Sequence, residues 1–156
     1  MDFCRIDTPI GPLLLTANAA GTALARVSFG GQPAPGGAPA DTPLLRRAGA
    51  QLQEYFAGTR RAFDLPLDPS GTPFQQRCWA ALRAIPYGQT RTYGQVAARL
   101  GAPKACRAVG MANHRNPLPI VVPCHRVVGA DGSLTGYAGG LDVKRFLLEL
   151  EQRHRG

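Results

Sequence analysis

Apolar positions along the chain follow two rhythms, and the change between them divides it. In the first seventy residues, Leu13 to Ala17 and Thr22 to Phe29 read as strands joined by a turn at Ala19-Ala20-Gly21. Gly30 to Pro39 holds four glycines and three prolines, the composition of a loop or mobile linker. The period then becomes helical. Leu44, Leu45, Ala48, Leu52, Tyr55 and Phe56 share one face, with Asp41 or Thr42 as the cap, Pro43 in the first turn and Gly58 at the end. Phe63 to Leu67 reads as one more strand. The turn cluster Asp68-Pro69-Ser70-Gly71 closes this segment, so the pattern predicts a small α/β scaffold domain over 1–70 and a second domain over 71–156.

The second part is mainly helical. Thr72 and Gln75 have capping-box spacing with Pro73 between them, and the helix they open buries Phe74, Cys78, Trp79, Leu82 and Ile85 before Pro86-Tyr87-Gly88 breaks it. Thr92 and Gln95 repeat the pattern and open a helix from Tyr93 to Leu100, which Gly101 closes. A third helix is expected from Pro103 to about Asn113, which makes a helix-turn-helix pattern. Ile120, Val121 and Val122 then read as a short buried strand that Pro123 stops. Asp131-Gly132 is a hairpin-type turn, and the glycines around Tyr137 in Gly136-Tyr137-Ala138-Gly139-Gly140 suggest backbone lying close to a ligand. A last helix, Leu141 to about Gln152, buries Val143, Phe146, Leu147 and Leu150.

Charge sharpens this division. Residues 1–71 carry six arginines and six acids, a net of zero, so the whole excess of +8 falls in residues 72–156. A basic half beside a neutral one points to a polyanion, most simply nucleic acid. The third helix fits that partner. Ala105, Cys106, Ala108, Gly110 and Ala112 are small, base-reading side chains are sparse, and Arg107 is the one long cation among them. Small residues let a helix enter a groove only about 6 Å wide. No apolar run approaches a membrane span, and the start has no basic head followed by an apolar stretch, so a cytoplasmic protein is expected. Four cysteines without paired spacing read as reduced thiols, and three scattered histidines give no metal set.

The chemistry gathers after Pro123. Cys124 stands beside His125 and Arg126, company that favours a thiolate. Neighbours in an extended segment point to opposite faces, so a water or a tight turn must connect His125 to the sulfur. A basic histidine also needs a partner on its far nitrogen. Glu149 and Glu151 oppose the dipole at the end of the last helix, so one of them is expected to have a partner, with His125 the candidate. A cysteine hydrolase or acyltransferase could use the same residues, but it leaves the +8 half unexplained. A non-catalytic DNA-binding module leaves Cys124 unexplained.

Taken together, PCHR with its preceding NPLPIVV, TYGQVAARLG followed by the ACRAVG helix, and GYAGGLDVKRFLLELE resemble the O6-alkylguanine-DNA alkyltransferase family, the bacterial methylated-DNA–protein-cysteine methyltransferases. The resemblance covers about residues 72–153, and the N-terminal half agrees in its TPIG opening and general layout. It implies an α+β protein, with a ribonuclease-H-like domain before a helical domain that carries a helix-turn-helix and a short active-site strand. It also implies transfer of an alkyl group from O6-alkylguanine, with O4-alkylthymine left open as a second substrate, after the nucleotide is flipped out. Cys124 would be the acceptor, activated by His125 through a water, with Glu151 orienting His125 and Asn116 supporting the turn. Tyr93 would swing the nucleotide, Arg107 would fill the vacated stack, and Ala105, Ala108 and Gly110 would line the close approach to DNA. Tyr137 and Ala138 would cover the base. Double-stranded DNA would be bound through the minor groove, largely without regard to sequence, by a monomer that needs no cofactor or metal. Three departures stand out: Ala138 where some members have serine, Cys106 where alanine is common, and no evident N-terminal zinc ligands.

Overall fold

The computed structural model describes residues 1–31, 33 and 36–155; Gln32, Ala34, Pro35 and Gly156 lie outside the described residues, and with them part of the expected Gly30 to Pro39 linker. The chain forms two compact units, Met1–Ser70 and Gly71–Gly156.

In the first unit, strands β1 (Asp2–Thr8), β2 (Gly11–Ala17), β3 (Leu24–Phe29) and β4 (Ala38–Pro39) form one sheet in the order β3-β2-β1-β4. β1 and β2 are an antiparallel hairpin, and the left-handed Gly11 (φ 99°) ends its turn. Helix α1 (Pro43–Phe56) packs on β1, β2 and β3. Thr42 is its cap, accepting from the Leu45 amide at 3.2 Å, and Leu45, Leu52 and Tyr55 are buried, as are Leu13, Leu15 and Leu24 of the sheet. The sequence pattern misses β1 because none of its residues is fully buried, so no apolar alternation marks it. β4 lies inside the stretch expected to be only loop. Phe63 to Leu67 is not a strand. Only a single bridge joins Leu24 to Leu67, because Pro66 has no N–H with which to continue a ladder.

The second unit contains α2 (Pro73–Arg83), β5 (Arg91–Thr92), α3 (Tyr93–Arg99), α4 (Cys106–His114), a 3-10 turn (Cys124–Arg126), β6 (Val127–Val128) and α5 (Leu141–His154). Both capping boxes form, at Thr72/Gln75 and Thr92/Gln95. α4 packs against α2 and α3, and the buried Trp79 indole donates to the Ala112 carbonyl at 2.8 Å. α4 begins at Cys106 rather than near Pro103. Residues 102–105 first make a turn closed by the Ala105 amide on the Ala102 carbonyl, and Ala102, which would be the cap of a helix starting at Pro103, has no side-chain acceptor. Phe74, Val143 and Phe146 are only half-buried. On α5 the fully covered positions are Lys144, Leu147, Leu150 and Glu151. β5 and β6 pair in parallel, Arg91 with Val127 and Thr92 with Val128. Among the described residues no helix is long and apolar enough to cross a membrane.

Candidate active site

The segment before Cys124 is a turn, not the strand that its β-branched run suggests. Asn116 makes it so. Its side-chain oxygen accepts from the Leu118 amide and its Nδ2 donates to the Val122 carbonyl, both at 2.9 Å. The Val122 amide then closes on the Leu118 carbonyl at 2.8 Å, and Ile120 takes a left-handed conformation (φ 75°). A β-branched residue rarely adopts that conformation, so the surrounding bonds must hold it. Pro123 (φ −79°, ψ 65°) is the centre of an inverse γ-turn, in which the Cys124 amide donates to the Val122 carbonyl at 2.7 Å. Cys124, His125 and Arg126 follow as one 3-10 turn, so the strand at the site, β6, comes after the cysteine rather than before it.

Behind the turn, α5 supplies one carboxylate that carries four hydrogen bonds. Glu151 accepts from His125 Nε2 at 2.6 Å, Arg126 Nε at 2.8 Å, Arg126 Nη2 at 3.0 Å and the Gly88 amide at 3.1 Å. Arg126 Nη1 donates to the Ile85 carbonyl, and its guanidinium lies over the Tyr87 ring. Burial alone would push the Glu151 carboxyl up, but His125 and Arg126 outweigh it and hold the group well below the usual carboxylate range. His125 is fully buried, and desolvation pulls its pKa down despite Glu151, so the imidazole is neutral. With Nε2–H donated to the carboxylate, Nδ1 is the acceptor nitrogen, as a base requires. Glu151 rather than the exposed Glu149 is the partner that the helix-end argument called for. Arg126 serves this carboxylate.

The sulfur itself corrects the thiolate expectation. Cys124 is 4% exposed, and burial pushes its thiol up to about 11. Hydrogen bonds from Asn116 and Tyr137 and the charge of Lys144 pull the other way without overcoming desolvation. The resting protein therefore holds a thiol surrounded by groups that favour its anion. Lys144 was not legible as part of this site. It is 0% exposed, donates to the Val127 carbonyl at 2.6 Å and the Thr135 carbonyl at 2.9 Å, and desolvation lowers its own pKa. Asn113, on α4, donates to the Cys124 carbonyl at 3.3 Å and was also missed.

The remaining expected residues lie around this core. Tyr137 is buried against Cys124, whereas Ala138 is exposed. Tyr93 opens α3, and its hydroxyl is 2.8 Å from Thr135 Oγ1. On α4, Arg107 and Ala108 are exposed and Gly110 is half-buried, as is Ala105 just before the helix, and among the described residues Arg107 has no ion-pair partner. No described group of three His, Cys, Asp or Glu side chains is arranged to hold a metal.

Comparison with known proteins matches two family models. Residues 73–153 match the DNA-binding domain of 6-O-methylguanine DNA methyltransferase, and residues 5–69 match its ribonuclease-like domain. The chain is 50% identical over 153 residues to a methylated-DNA–protein-cysteine methyltransferase of Methanosarcina acetivorans, covering 97% of this chain and 98% of the relative. It is 59% identical over 113 residues to the constitutive one of Bacillus subtilis, covering 72% and 68%. The crystal structure of Mycobacterium tuberculosis OGT in complex with DNA superposes with a TM-score of 0.91 at 50% identity, covering 99% of this chain and 94% of that one.

Proposed function

The chain belongs to the 6-O-methylguanine DNA methyltransferase family, and from that premise we propose that Cys124 is the residue that takes the alkyl group. The reaction is DNA repair by direct, irreversible transfer from O6-alkylguanine in DNA to a cysteine of the protein, once per molecule. The observation that carries the assignment is the setting of the Cys124 sulfur. It is fully buried as a thiol, yet Asn116, Lys144 and Tyr137 all favour its anion.

The steps follow from that setting. O6 is out of reach inside a duplex, so the nucleotide leaves the stack, at a cost of a few kcal/mol. Tyr93 at the start of α3 moves it, and Arg107, exposed among small residues on α4, takes its place. The Cys124 proton passes through a water to His125 Nδ1, and Glu151 holds the imidazole in the tautomer that can accept it. The sulfur then forms its bond to the alkyl carbon as the carbon–O6 bond breaks, and that electron pair stays with guanine. The Tyr93 hydroxyl and the backbone amides at Tyr137 and Ala138 meet the charge that develops on the base. Asn116 keeps the turn in place, and Ala105, Ala108 and Gly110 allow close approach to the minor groove. Binding is through phosphates rather than base edges, as the +8 of residues 72–156 favours, and the protein acts as one molecule in the cytoplasm.

Mixing the protein with duplex DNA containing O6-methylguanine and mapping its peptides tests the assignment. One methyl group on Cys124, and no transfer by Cys124→Ser, is the expected result. A methyl on Cys106, or transfer that survives the substitution, would overturn it.

A further inference from the structure

The segment after β6 carries two anchors at one residue. Thr135 Oγ1 lies 2.8 Å from Tyr93 Oη, and the Thr135 carbonyl accepts from Lys144 Nζ at 2.9 Å. Two residues on, Tyr137 is buried against Cys124, close enough to bias its protonation. Around Tyr137 the backbone is tied by one turn bond, the Gly140 amide donating to the Tyr137 carbonyl at 2.9 Å, and its neighbours are flexible. Gly136 precedes it, Gly139 and Gly140 follow, and Gly140 (φ 95°) has a conformation that side chains rarely adopt. The piece that covers the sulfur is therefore held at Thr135 on one side and at the start of α5 on the other.

An alkyl carbon reaches a sulfur this buried only if something moves. Shifting α5 breaks the contacts of Lys144 and Glu151, both buried and charged. Shifting the 3-10 turn breaks the Asn116 and Asn113 bonds. The Tyr93–Thr135 bond is different, being a single neutral hydrogen bond in a half-buried place. We propose that Thr135 is a gating residue, whose hydroxyl latches the Tyr137 segment to Tyr93 in the DNA-free protein and releases it when a base takes over the Tyr93 hydroxyl. The proposal rests on the reading of Tyr93 as the tyrosine that meets the flipped nucleotide. It gives the latch a purpose in a protein used once: the thiol stays covered from other electrophiles until the right substrate opens the way.

Labelling with iodoacetamide at one fixed alkaline pH tests the latch without DNA. Thr135→Val keeps the shape and removes the hydroxyl, whereas Thr135→Ser keeps the hydroxyl. The rate at each cysteine is read by peptide mapping. Thr135→Val should label Cys124 about five-fold faster than the parent, the fold-change equivalent to about 1 kcal/mol for one hydrogen bond. Thr135→Ser should stay near the parent. Cys78, buried on α2, and the exposed Cys106 should not change in either variant. A parental rate in Thr135→Val, equal acceleration in both variants, or Cys78 rising in step with Cys124 would each overturn the latch. Incubating the same proteins with O6-methylguanine duplex keeps the two readings apart, because absence of methyl on Cys124 removes the acceptor assignment whatever the iodoacetamide pattern.

Discussion

Replacing Glu151 by glutamine is the most informative single change, because one carboxylate serves both the base and the buried Arg126. Four donors point at its two oxygens. An amide keeps one acceptor oxygen, and its NH2 must face either His125 Nε2 and Arg126 Nη2 or Arg126 Nε and the Gly88 amide. In the first orientation His125 has to change tautomer, which turns Nδ1 into a donor that cannot accept the thiol proton. In both, a 6% exposed guanidinium loses its counter-charge. Breaking a buried pair in this way costs about 3–5 kcal/mol. For a unit of this size each kcal/mol moves the midpoint by roughly 4–8 °C, so Glu151→Gln should melt at least roughly 12 °C lower. Circular dichroism melts and intact-mass transfer kinetics, run below the variant's own melting range, separate the two effects. Replacing both partners, as Arg126→Met with Glu151→Leu, should recover at least half of the lost stability while transfer stays slow. A single variant that melts within about 3 °C of the parent, or a double variant no better than the single one, would refute the argument.

Acid should destabilise the protein in two stages. Burial holds the folded His125 below 6.5, so the unfolded chain takes that proton first and stability falls as pH drops through about 6.5. Glu151 is held below 4.5 in the folded state, so its contribution is complete above that value and is lost at lower pH; melts that stay flat from about pH 7 to 5 would contradict the first stage, and melts that stay flat from about pH 5 to 2 the second. Iodoacetamide labelling of Cys124 should rise about tenfold per pH unit from pH 7 to pH 9 without levelling near about 8.5, as an ordinary thiol would. Arg107→Ala should slow repair of duplex DNA far more than reaction with the free base O6-benzylguanine, which needs no flipping. Equal losses on both substrates would make Arg107 a support of the pocket instead.

What was legible in the sequence is what depends on near neighbours. The boxes at Thr72/Gln75 and Thr92/Gln95 and the cap at Thr42 each join residues three apart, and all three form. Cys124, His125 and Glu151 could be named from their residue types and a resemblance, yet their setting could not. Lys144 sits at a helix position where periodicity looks for an apolar side chain, and it is buried because two distant carbonyls accept its protons. Ile120-Val121-Val122 has strand composition, but the Asn116 amide bends it into a turn by reaching across six residues. Burial is likewise a property of the whole unit. That is why the charges beside Cys124 suggested a thiolate where desolvation keeps a thiol.

The placement of Trp79 has a practical consequence. It is the sole tryptophan of the chain, 2% exposed, and its indole N–H is bound to the Ala112 carbonyl on α4. The next residue, Asn113, donates to the Cys124 carbonyl. An intrinsic fluorophore thus lies at the far end of a short chain of contacts from the nucleophile, on the helix proposed to face DNA. Its emission offers a label-free optical readout of the protein in real time, in which α4 moving against α2 should change both wavelength and intensity. With no second indole to dilute the signal, a stopped-flow trace can time that motion against methyl transfer.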